Sequence, residues 1–226
     1  RPYDLELAYT REMMAGLLLR GEGDACPERA GGWPRSVLQI GLGAASLTRW
    51  LHHHVPAAKL TVVEINPRVV AMASQMFKLP EESARLEIVI ADGADFMAEA
   101  TRAWDWILVD GFDPDARTGR LGDERFLCEC MQHLTVRGLL TVNLLGRNRG
   151  FMGSVERLRN ASGGRALVFP SCDSGNAVAF AAAGDPLAEP LTDLRQRAQS
   201  LKTATGLDLL PTLTRLEQSG CLVGDA

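Results

Sequence analysis

The sequence predicts an α/β fold: a doubly wound, Rossmann-like mixed sheet of about seven strands whose last two form a hairpin. Three observations carry that expectation. Short apolar runs alternate with segments of helical period from Ser36 to Ala161. The runs are apolar at nearly every position, the pattern of parallel strands covered on both faces. Near the C-terminus the rhythm changes to two apolar runs joined by the turn-rich "CDSGN", which marks a reversal.

The elements follow in order. "LELAYTREMMAGLLL" (Leu5 to Leu19) reads as one helix, with Leu7, Met14 and Leu18 near helical spacing. A Gly- and Pro-containing link runs from Arg20 to Pro34. "SVLQIG" (Ser36 to Gly41) is a buried strand, and "SLTRWLHHHV" a helix with Leu47, Leu51 and Val55 four apart. "KLTVVE" (Lys59 to Glu64) is the next strand. Asn66 caps the following helix with Pro67 in its first position, and Val70, Ala73 and Phe77 mark its buried face. Then come the strand Leu86 to Asp92, the short helix "ADFMAEA" and the strand "WILVD". A helix from Asp123 to Leu134 with an Asp cap, the strand Gly138 to Leu145 and the helix Gly153 to Ala161 complete the alternation. "RALVFPS" and "AVAFAAA" form the hairpin, and two helices close the chain, Leu191 to Gly206 and "PTLTRLEQSG". We read residues 1–226 as a single nucleoside-binding domain. Residues 1–30 are its N-terminal helix and linker, 36–183 the sheet core and 184–226 the C-terminal helices.

The bulk properties narrow the function classes. A chain of 226 residues suits one sizeable core. A net charge of -4 argues against a nucleic-acid platform, which carries a basic excess. No apolar run reaches the roughly 18 residues that span a bilayer, and "MMAGLLL" is interrupted by Gly16, so no membrane partner and a cytoplasmic location are expected. The five cysteines are scattered, and Cys128 and Cys130, two apart in a helix, do not share a face. His52, His53 and His54 splay around their helix, so no metal is expected.

In a doubly wound sheet, ligands bind beyond the carboxyl ends of the strands. There the first strand ends in "GLGAAS", with Gly41 and Gly43 suited to a tight turn and to close approach of a ligand. The second ends in Glu64, placed to take both hydroxyls of a ribose. The third ends in Asp92-Gly93, where a carboxylate can accept from the amine of adenine or cap the next helix. The fourth ends in Asp110, with Asp113 beyond it. Clustered carboxylates repel unless something cationic or hydrogen-bonding meets them. A dinucleotide fits less well, since Ser46 holds the third small position of the G-x-G-x-x-G fingerprint. Asp110 and Asp113 could hold an ammonium group and take a proton from a second amine, which must be neutral to attack. Asp113-Pro114 taken alone also fits a simple turn.

These ordered motifs resemble the spermidine synthase family of polyamine aminopropyltransferases. "LAYTREMMAGLLL" is similar to the family's helix before the first strand, and "VLQIGLGAAS" to its glycine motif. "VVEINPRVVAMASQMF", "IVIADGADFM" and "WDWILVDGFDP" are similar to its ribose, adenine and catalytic aspartate motifs. The resemblance covers roughly Leu5 to Leu145. It implies a fold of the class I methyltransferase type, decarboxylated S-adenosylmethionine as donor and a small di- or polyamine as acceptor. By position, Asp110 would accept the proton, Asp113 would hold the acceptor and Tyr9 would stand at the amine site. The donor-binding set would be Gln39, Gly41, Gly43, Glu64, Ile65, Asp92 and Gly93. Pro114 to Gly122 falls where the family has a gate, and a homodimer is implied.

Three departures stand out. The family's aspartate after the second glycine is replaced by Ala44, which removes a charge partner worth about 1–3 kcal/mol for the donor's amine. The gate sequence differs from the family pattern. The family's small N-terminal β-domain is expected to be absent. Ala44 also leaves open an S-adenosylmethionine-dependent methyltransferase, since an aspartate there would repel the intact cofactor's carboxylate. A third reading is a nucleoside-binding homologue without catalysis.

Overall fold

The computed structural model describes residues 3–20, 32–112, 118–147, 149–172, 175–187 and 190–221. At its centre is a seven-stranded sheet. Its strands are β1 (Ser36–Ile40), β2 (Lys59–Glu64), β3 (Leu86–Ile90), β4 (Trp104–Val109), β5 (Leu134–Leu145), β6 (Ala166–Val168) and β7 (Asn176–Ala182). Their spatial order is β3-β2-β1-β4-β5-β7-β6. The first five run parallel, while β7 pairs antiparallel with both β5 and β6. The chain winds outward from β1 to β3, then returns to place β4 on the other side of β1. The switch point of the sheet therefore lies between Gly41 and Asp110, where a doubly wound fold opens its crevice.

Alternating strand residues feed two cores. One face carries Val37, Trp106 and Leu108. Against it pack α1 (Ala8–Met13), α2 (Gly16–Arg20), α3 (Ser46–His54) and α4 (Pro67–Met76), with α8 (Leu191–Thr205) and α9 (Leu210–Gln218). The other face carries Leu38, Ile107 and Val109 beneath α5 (Gly93–Ala98), α6 (Glu124–Gln132) and α7 (Phe151–Ala161). Leu51 and Leu108 are fully buried, each contributing about 1.5–3 kcal/mol relative to exposure. Trp104 and Trp106 are two apart yet enter opposite cores, because the register with β5 shifts between them.

Five local expectations need correction. The N-terminal helix is two short helices with a break at Met14 and Ala15, and Leu7 lies outside them, 55% exposed. The break lets Gly16 press against the Trp106 ring, where a Cβ would lie 2.6 Å from Cζ2. Beneath α4 only Ala73 is buried, with Val70 and Phe77 half-buried and Met72 and Met76 exposed, because this helix covers the margin of the sheet. β3 is an edge strand for the same reason, and its burial is partial. Asp123 occupies the cap position of α6 but its side chain makes no capping bond. β5 begins at Leu134, four residues before the apolar run that announced it.

The remaining elements follow the sequence closely. Asn66 accepts from the Arg68 amide with Pro67 at the helix start, and Gly206 ends α8 in the left-handed conformation. Among the described residues, Cys128, Cys130, Cys172 and Cys221 are free thiols, no group of side chains suits a metal ion, and no helix is long and apolar enough to cross a membrane.

Candidate active site

A cavity of about 350 Å³ opens at the switch point. Its floor is the turn after β1. Gly41 has φ +92°, and a Cβ there would run into the backbone carbonyl of Asp110. Only glycine allows the two strand ends to approach this closely. Gly43 also has positive φ but faces open space. Gly93 presses on Ile40, where a Cβ would lie 2.5 Å from Cγ2.

Glu64 ends β2 and is 8% exposed. Its Oε2 accepts from the Leu42 amide at 2.9 Å and its Oε1 from the Asn66 amide at 2.9 Å. Backbone donors thus offset the burial of this charge, and each oxygen retains further acceptor capacity. Asp92 caps α5, its Oδ1 accepting from the amides of Ala94 at 2.7 Å and Asp95 at 3.1 Å, and it also lines the cavity. Arg120 reaches over from a short 310 turn (Gly119–Gly122). Its Nη1 lies 3.3 Å from Asp92 Oδ1 and its Nη2 2.6 Å from Asp95 Oδ1.

Asp110, half-buried at the end of β4, is held by side chains. Asn143 Nδ2 donates to its Oδ1 at 2.8 Å, and the Tyr9 hydroxyl donates to its Oδ2 at 3.3 Å. Asn143 in turn accepts from Asn176 Nδ2 at 3.0 Å. Burial pushes Asp110 above the usual carboxylate range, while the bonds from Asn143 and Tyr9 pull it partly back. Burial first, then the neighbouring Asp110, pushes the Tyr9 phenol up, so Tyr9 is a neutral donor at physiological pH.

The structure thus gathers Gly41, Gly43, Glu64, Asp92, Gly93 and Asp110 around one cavity. Ile65 lies at its rim, 64% exposed. Tyr9 touches Asp110 without lining the cavity. Gln39 does not reach the cavity. Its Nε2 donates to the Gly41 carbonyl at 2.7 Å and its Oε1 accepts from Thr48 at 2.8 Å, so it braces the glycine turn from below. Asp113 and residues 114–117 of the expected gate lie outside the described residues, as do Cys26 and the linker from 21 to 31. Two contributors escaped the sequence reading, Asn143 and Asn176, whereas Arg120 comes from the expected gate segment. Asn143 had a signal, as an amide inside the apolar run "LLTVNLL" of a central strand.

Residues 11–143 match the spermine/spermidine synthase domain model. The chain belongs to this family. The family match takes in Glu64, Asp92, Asp110 and Asn143 and begins just after Tyr9. The polyamine aminopropyltransferase of Neisseria meningitidis (serogroup A) is 35% identical over 218 residues, 96% of this chain and 79% of its own length. The human eEF1A lysine and N-terminal methyltransferase is 34% identical over 161 residues, 64% of this chain and 22% of its own length. The crystal structure of human methyltransferase-like protein 13 in complex with SAH superposes with a TM-score of 0.76 at 26% identity, covering 88% of this chain and 93% of that one. As a member of the spermine/spermidine synthase family, the protein is a transferase on a methyltransferase-type sheet.

Proposed function

We propose that this protein moves an aminopropyl group from decarboxylated S-adenosylmethionine to a di- or polyamine, with Asp110 as the base. One observation carries the reading: a carboxylate hydrogen-bonded by Asn143 and Tyr9 stands in a cavity whose other acidic groups suit an adenosine. Glu64 would take the ribose hydroxyls and Asp92 the adenine amine. Asp113 would help hold the acceptor, and the pair of acidic groups suits a cationic substrate.

The chemistry asks little of the protein. The lone pair of a neutral amine attacks the aminopropyl carbon bound to sulfur. The C–S bond breaks and its electrons return to sulfur, neutralising the sulfonium. The proton lost by the attacking nitrogen goes to Asp110. Alignment and this one proton transfer are what the site supplies, the latter typically about 10²–10⁴-fold. A raised proton affinity in Asp110 narrows the gap to the amine it serves.

A second reading, methyl transfer from intact S-adenosylmethionine, has its own support. Ala44 presents no carboxylate beside the glycine turn, and the human methyltransferase relatives share the sheet. Mass spectrometry separates the two. Incubating the protein with each donor and a panel of amines should give an aminopropyl adduct. A methyl adduct supports the second reading, and nucleoside binding without transfer rejects both. Asp110→Asn should cut transfer by about 10²–10⁴-fold while donor affinity measured by calorimetry stays nearly unchanged. A fully active Asn variant removes Asp110 from the mechanism.

A further inference from the structure

We infer that Asn143 and Asn176 form a two-amide relay that gives the oxygens of Asp110 separate tasks. Oδ1 is kept as a hydrogen-bond acceptor, and Oδ2 is the oxygen that takes the proton. The inference rests on the proposed role of Asp110 as base and deepens it.

The sheet makes the relay. β5 and β7 pair so that Asn143 lies opposite Val178 and Leu145 opposite Asn176. Asn143 and Asn176 are therefore diagonal neighbours on one face, a spacing that side chains of this length can bridge. Asn143 is 3% exposed, so an unmet polar atom there would be costly. A primary amide offers one carbonyl acceptor and one NH2 donor. Asn176 donates to the Asn143 carbonyl at 3.0 Å, which leaves the Asn143 NH2 for Asp110 Oδ1 at 2.8 Å. A flipped Asn143 would set NH2 against NH2 and carbonyl against carboxylate. Asn176, which does not line the cavity, thereby fixes the direction of the amide that meets the base.

The two oxygens now differ. A proton on Oδ1 would collide with the N–H of Asn143. Oδ2 faces the Tyr9 hydroxyl at 3.3 Å, a rotor that can turn its hydrogen away and accept instead. When the amine N–H bond breaks and an O–H bond forms at Oδ2, Tyr9 changes from donor to acceptor. The bond from Asn143 stays as it was, so the carboxyl group need not rotate during the transfer. Among the described residues, the other charged groups facing this cavity are Glu64 at the end of β2, Asp92 before α5 and Arg120 in the 310 turn. None of these three hydrogen-bonds Asp110. Asn143 and Asn176 are positioning residues.

Asn176→Asp tests this without changing size. A carboxylate cannot donate to Asn143, so Asn143 turns its NH2 toward residue 176 and its carbonyl toward Asp110. We expect kcat to fall about tenfold, the worth of one oriented hydrogen bond, with donor affinity and acceptor KM little changed. Asn176→Ala removes the donor without adding charge and should give a smaller fall. In both variants the Asp110 carboxyl, followed by carbon-13 NMR, should titrate at higher pH than in the wild type, because its bond from Asn143 is weakened. This titration does not depend on which group is transferred. If the wild-type protein transfers nothing, the functional proposal fails, and the NMR titration still judges the relay. Unshifted titration of Asp110 in Asn176→Ala overturns the relay, even if kcat falls.

Discussion

The two halves of the cavity hold their carboxylates in different ways. On the donor side, Glu64 accepts from the amides of Leu42 and Asn66, and Asp92 from those of Ala94 and Asp95. These are backbone groups no more than 22 residues away in sequence, joined at Asp92 by the Arg120 side chain. On the reaction side, Asp110 accepts from side chains, Asn143 at 33 residues and Tyr9 at 101 residues. Backbone donors come with the fold, whereas side-chain donors must be chosen by sequence. On the proposed function, nucleoside recognition would rest on the architecture, and the proton chemistry on a few side chains. Transferases that share the donor half can diverge in the group they move by changing the other half.

Substitutions can break or sharpen this contrast, and Gly41 should give the largest effect. It lies where the halves touch, and any side chain meets the Asp110 carbonyl from a left-handed backbone. Gly41→Ala should cost at least about 3 kcal/mol of stability and lose both donor binding and transfer. Chemical denaturation and calorimetry would measure this; an unaffected variant would mean the halves are independent. Next, Glu64→Gln keeps the shape but turns an NH2 toward a backbone amide. Donor affinity should fall about tenfold with kcat much less affected. A loss confined to kcat would undo the division of labour.

The smallest effect concerns stability. Burial holds Asp110 above its unfolded value, so the folded protein keeps this proton to higher pH than the unfolded chain does. The wild type therefore loses stability as pH rises from about 4, the ordinary carboxylate value, through the folded value. Asp110→Asn lacks that loss. Its melting temperature should match the wild type in acid and exceed it by a few degrees at neutral pH. Equal melting temperatures across the range would mean that the reaction side carries no stored cost.

The same contrast explains what could be read beforehand. Strands and helices from Ser36 to Ala161 were legible because apolar runs and caps such as Asn66-Pro67 are local signals. Glu64 and Asp92 were legible because they terminate such runs. Gln39 shows the limit: it sits one residue from the cavity wall, and only the pleat of β1 decides that it points below the glycine turn. Arg120, Asn143 and Asn176 act through partners fixed by sheet order, which no single stretch encodes. The broken N-terminal helix was missed because the Trp106 ring on which Gly16 packs lies ninety positions along the chain.

That last contact reaches further than its size suggests. Gly16 rests on Trp106, whose indole nitrogen is anchored to Thr141 at 2.8 Å, and the segment so seated is the one that delivers the Tyr9 phenol. Neither Trp106 nor Thr141 borders the cavity at the switch point. In a random-mutagenesis screen scored by turnover, both should nevertheless cluster with the reactive groups, because trimming either one unseats a tyrosine from beneath the floor.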